Sequence, residues 1–87
     1  MSVPVELADG DGEVVAFEGE WLSCVLSRAF APGSPVSLKI LLEAGPLAVR
    51  GKAARSRRLE DGRFAVKLRG VSLHRGQREA LSKALPD

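Results

Sequence analysis

The chain has 87 residues, 45% of them apolar and 28% charged, a composition that excludes an intrinsically disordered segment and matches a soluble globular domain. Its length allows one domain, residues 1–87, which buries roughly 60% of its unfolded surface and leaves no room for a separate catalytic domain. The net charge of +2 conceals a division: residues 1–49 hold two cations against seven acids, and residues 50–87 hold eleven against four.

Val3, Val5 and Leu7 alternate with Pro4, Glu6 and Ala8, which predicts a short opening strand whose early proline suits a first or edge position. Asp9-Gly10-Asp11-Gly12 reads as a turn. Glu13 to Glu18 is a second strand, and Gly19 separates it from a longer run, Glu20 to Phe30; the two form either one bent strand or a hairpin. In the longer run Leu22, Cys24, Leu26 and Phe30 share one face, and Trp21, Ser23, Val25 and Ser27 the other.

Ala31-Pro32-Gly33-Ser34-Pro35 turns the chain again, because proline presets φ and glycine accepts positive φ. Val36, Leu38, Ile40 and Leu42 then alternate with Ser37, Lys39, Leu41 and Glu43, one face buried and one wet, with Leu41 the exception on the wet side. After a turn at Gly45-Pro46, Leu47 to Arg58 is a long strand with Leu47, Val49, Gly51 and Ala53 on one face. A glycine inside a strand signals a bulge or a close backbone approach. Glu60-Asp61-Gly62 carries a hairpin signal, and Phe64, Val66 and Leu68 face inward on the returning strand, with Arg63, Ala65, Lys67 and Arg69 outward. Strands therefore occupy about residues 3–69. A helix over about 72–85 follows, with Ser72 as N-cap, Leu73, Gln77, Ala80, Leu81, Ala84 and Leu85 at helical spacing, and Pro86 as its stop. Gly76 weakens this helix, which has to dock on the sheet to persist.

Pro32-Gly33-Ser34-Pro35-Val36-Ser37-Leu38, Leu47-x-Val49-x-Gly51-x-Ala53-x-Arg55, Gly62 to Leu68, and the helix with Arg78 and Leu81 together resemble the C-terminal two thirds of a PilZ domain. Residues 3–30 share only the strand rhythm. The resemblance implies a mainly β fold, a small six- or seven-stranded antiparallel barrel with one C-terminal α-helix, in a family whose usual ligand is cyclic di-GMP. That family reads the nucleotide with Arg-x-x-x-Arg before the barrel and Asp/Asn-x-Ser-x-x-Gly at a strand end. Here no arginine precedes Arg28. Around Trp21 to Leu26 only Ser23 matches the second motif, with Trp21 in place of the acid or amide and Leu26 in place of the glycine. The chain is similar to degenerate members of the family, which bind other proteins.

The candidate partner- or anion-binding residues are Arg55, Arg57 and Arg58, the densest basic cluster, together with Arg28 and Trp21. Alternation puts Arg55 and Arg57 on one face and Arg58 on the other, where they meet an acidic protein surface, a phosphate or nucleic acid, or guard an edge against aggregation. Trp21 either anchors an interface or, the favoured place, caps the barrel core or underlies the helix. Trp21 and Leu41 both facing outward would favour a homodimer or a partner groove. The charge division resolves either into a mixed, solvated surface, the reading favoured by strand pairing, or into a basic face.

One cysteine and one histidine are too few for a zinc site, so no metal or other cofactor is expected, and Cys24 reads as a small buried hydrophobe. No residue pair suits acid–base catalysis, so the chain is read as a non-enzyme. Without a signal peptide or an apolar run long enough to span a bilayer, it is read as cytoplasmic and not membrane-inserted. The expected function is an adaptor for a protein partner in bacterial motility, secretion or cyclic-di-GMP-related signalling, with cyclic di-GMP itself not a ligand. The alternatives are a cyclic-di-GMP receptor using Arg28 or the Arg55 cluster, and a nucleic-acid-binding barrel. The latter is disfavoured because Phe17, Phe30, Phe64 and Trp21 are the only aromatic residues for stacking.

Overall fold

A computed structural model describes residues 2–85. Six antiparallel strands, β1 (Val3–Leu7), β2 (Gly10–Glu18), β3 (Trp21–Leu26), β4 (Pro35–Leu42), β5 (Gly45–Arg58) and β6 (Phe64–Gly70), precede one helix, α1 (Arg75–Ala84). The strands close into a barrel in the order β1-β2-β3-β6-β5-β4, with β4 returning to pair with β1. Closure follows from alternation: each strand has one apolar face, and rolling the sheet turns all six inward while giving every strand two neighbours.

Val5, Val14, Leu22, Leu26, Ile40, Val49, Val66 and Leu68 fill the interior. Each such side chain stabilises the fold by roughly 1.5–3 kcal/mol relative to exposure. Leu81 of α1 is fully buried and Leu85 nearly so, with Leu73 packed beside them, so the helix closes one end of the barrel with its apolar stripe. Gln77 Nε2 donates to the Ala48 carbonyl (2.8 Å) and an Arg78 guanidinium nitrogen to the Gly19 carbonyl (3.1 Å), which ties the helix to β5 and to the β2–β3 turn. At the opposite end Phe30 packs partly into the core. Ser56 Oγ accepts from the Phe30 N–H (3.0 Å) and donates to its carbonyl (2.9 Å), holding that plug by both backbone groups.

Several local expectations shift. The second and third strands form a hairpin, not one bent strand, turning at Gly19, whose φ is +65°. The first turn shrinks to Ala8-Asp9, with Gly10 and Gly12 inside β2. A Cβ at Gly12 would overlap the Val25 carbonyl and Leu26, and one at Gly10 would overlap Ser27 Oγ. These glycines therefore permit close approach of β3 instead of making the turn. β3 ends at Leu26, short of Phe30, and the β4–β5 turn is Glu43-Ala44, with Gly45 and Pro46 already paired to Leu42 and Leu41. The Gly62 turn forms as expected, with φ +89°. There the Arg63 N–H and guanidinium both donate to Asp61 and hold its carboxyl below the usual range.

The N-cap is His74, not Ser72, whose φ of +54° turns the chain before the helix. His74 Nδ1 accepts from the Gln77 N–H (3.3 Å) while Gln77 Oε1 accepts from the His74 N–H (3.0 Å), a reciprocal cap in which imidazole replaces the usual hydroxyl or carboxylate. The helix accordingly spans 75–84, not 72–85, and Pro86 lies outside the described residues.

Candidate functional site on the outer face of β5 and β6

Two bulges shape the outer surface. In β2 the extra residue is Val15, between Val14 and Ala16; in β5 it is Ala54, between Ala53 and Arg55. Strict alternation from Val49, Gly51 and Ala53 would aim Arg55 and Arg57 into the core, where unpaired guanidinium groups are costly. The extra Ala54 reverses the phase. Ser56 turns in to hold Phe30, and Arg55 and Arg57 turn out to solvent. Gly51, the sequence's candidate for the bulge, is instead a close approach: a Cβ there would lie 3.0 Å from the Arg69 carbonyl oxygen.

Pairing then assembles cations that sequence distance separates. Arg55 stands opposite Lys67, Lys52 opposite Arg69, and Arg57 opposite Ala65. Like charges directly opposite each other on one sheet face repel. Arg69 is relieved by Glu20, 2.8 Å away. Among the described residues no ion pair involves Arg55, Arg57, Lys67 or Lys52; Lys67 Nζ donates to Ser23 Oγ at 3.3 Å. Arg55, Arg57 and Lys67 rim a groove of about 470 Å³ whose floor includes Val15, Val25 and Ala65. Val15 is 39% exposed because the bulge lifts it from the barrel surface.

The favoured expectation of a mixed surface holds in part: Glu6 stands opposite Lys39 across β1 and β4, and Glu20 pairs with Arg69. β1 and β2 carry Glu6, Asp11, Glu13 and Glu18 and no cation, whereas β5 and β6 carry seven cations and no acid. In the closed ring β1 lies three strands from β6, and β2 three strands from β5. The two pairs therefore occupy opposite sides of the barrel, and β3 and β4, which flank β6 and β5, carry no acid to cancel the basic strands.

The remaining candidates separate. Arg28 pairs with Asp9 at 2.7 Å, its guanidinium carbon 4.6 Å from the Phe30 ring centroid, at the barrel end and not in the groove. Arg58 faces the other way from Arg57, opposite Phe64. Trp21 neither caps the core nor is buried under the helix: it lies on the outer face between Glu18 and Arg69, 38% exposed. Its strand parity opposes Leu22, which takes the interior place. Leu41 is 36% exposed, but β3 and β4 are three strands apart in the ring, so Trp21 and Leu41 do not form one apolar patch. Cys24 is buried as expected, and burial pushes its thiol up to about 12. Among the described residues no three metal-ligating side chains gather, and no helix is long and apolar enough to cross a membrane.

Lys52 and Lys67 were absent from the sequence-derived cluster. Their outward parity was legible, yet their place beside Arg55 depends on β5–β6 register across the bulge. No family model matches this chain, and no curated protein or solved structure gives a significant match.

Proposed function

We propose that this chain is a non-catalytic adaptor of PilZ-like type that binds a protein partner in bacterial motility, secretion or cyclic-di-GMP-related signalling and does not bind the nucleotide. The observation that carries the reading is the cationic groove of Arg55, Arg57 and Lys67 over an apolar floor, on a barrel whose residues at the two nucleotide motifs are unsuited to cyclic di-GMP. In a closed barrel every strand already has two neighbours, so a partner is read chiefly by side chains on its outer face. The groove provides charge for orientation and apolar surface for affinity.

Calorimetric titration with cyclic di-GMP tests the nucleotide arm. No heat is expected up to about 100 μM ligand, which places binding more than ~2.7 kcal/mol below that of a receptor with a Kd of about 1 μM. Micromolar binding that disappears in Arg55→Ala/Arg57→Ala would overturn the adaptor reading and make the groove a relocated nucleotide site.

A further inference from the structure

We propose that the β5–β6 groove takes an extended acidic peptide segment with carboxylates at alternate residues; this rests on the adaptor reading and specifies the partner's chemistry. Three cation rows cross the face, at Lys52/Arg69, Arg55/Lys67 and Arg57. Along β6 they are two residues apart, about 6.6–6.8 Å, which is also the i to i+2 repeat of an extended peptide. One carboxylate can therefore sit over each row. The apolar floor begins in the last row itself, where Ala65 pairs with Val25 on one side and Arg57 on the other, and it receives an aliphatic side chain that follows the last carboxylate in the same i to i+2 phase.

The face is built for an external anion and not for its own stability. Two successive cross-strand positions place cation against cation, a destabilising arrangement, and only Arg69 has an acid beside it. A negative segment laid along the rows removes that repulsion. On the β2 side the face is bounded by acids, Glu13 opposite Val25 and Glu18 opposite Trp21. The positive strip is thus about two to three strands wide, on the order of 10–15 Å, enough for a single chain. No aromatic side chain lines the groove at the Arg55 and Arg57 rows, and Trp21, beside Arg69, is the single aromatic on the face, too few for successive bases to stack. Both features favour an acidic peptide over nucleic acid.

The test is an NMR titration of the full chain with a capped peptide, Glu-Ser-Glu-Ser-Glu-Ser-Val-Ser, at about 50 mM and about 300 mM salt. Backbone amide shifts are expected at Arg55, Arg57, Ala65, Lys67 and Val25. Affinity should fall at least tenfold in Arg55→Glu/Arg57→Glu and at the higher salt. Lys39→Ala, on β4 beside Glu6, should leave affinity unchanged, and spectra of both variants report folding. No binding, shifts confined to another face, or equal affinity in the double variant overturns the proposal; with a silent cyclic-di-GMP titration, the adaptor reading still stands. Tighter binding of single-stranded oligothymidylate at the same residues overturns it in favour of nucleic acid.

Discussion

Replacing Arg55 with glutamate should stabilise this barrel while removing a cation from its groove. Arg55 stands directly opposite Lys67 on the outer face of β5 and β6, and neither takes part in an ion pair with a described acid. Directly opposed residues have Cβ atoms about 5 Å apart. Charges at the ends of such side chains, taken as about 7 Å apart in water, repel by ~0.6 kcal/mol, and glutamate converts this into an attraction of similar size. The gain is therefore about 1 kcal/mol at low salt, and roughly half that at physiological ionic strength, where the Debye length is about 8 Å. For a domain of this size the melting temperature should rise about 4–8 °C at low salt and about 2–4 °C at physiological salt. Thermal melts of the native chain, Arg55→Gln and Arg55→Glu, each at three salt concentrations, measure this. Arg55→Gln should give about half the gain, and Arg55→Glu/Lys67→Glu should cancel it by restoring a like-charged pair. A lower melting temperature for Arg55→Glu, or a gain unaffected by salt, would refute the electrostatic account and point to packing of the arginine stem.

Gly12→Ala should lower the urea midpoint by the equivalent of about 1–3 kcal/mol, because the new methyl meets the Val25 carbonyl and Leu26; an unchanged midpoint would show that β3 can move away at little cost. Cys24 should resist a thiol reagent at pH 8 in native buffer and react on unfolding in urea. Its thiol is pushed up to about 12 from an ordinary value of 9.0, so its contribution to stability is complete below about pH 9 and is lost as pH rises toward about 12. Reaction at the rate of a free cysteine in native buffer would place the thiol at the surface.

Much of the barrel was legible because period-two alternation is a local property. The inward faces of β1, β3, β4 and β6 follow directly from the order of their residues, and so does the apolar stripe of the helix. Turn positions were less secure, since glycine has two uses with one sequence signature. Gly62 and Gly19 adopt positive φ in turns, whereas Gly10 and Gly12 are strand residues that let another strand approach. The helix start was displaced because Ser72 is the more usual cap, while His74 gains its place from reciprocal bonding with Gln77.

The sequence by itself determined the strand-rich class, the inward faces, the burial of Cys24 and the division of charge along the chain. It also brought Arg55, Arg57 and Arg58 into one short segment. Only the tertiary structure decided which of these arginines share a surface. The extra Ala54 reverses the phase of β5, and β5–β6 register sets Lys67 beside Arg55. Ring closure then carries the acidic β1 and β2 to the side of the barrel away from the basic β5 and β6. Alternation is written in neighbouring residues, whereas bulges, register and closure are settled by the packing of strands distant in sequence, and the groove depends on all three.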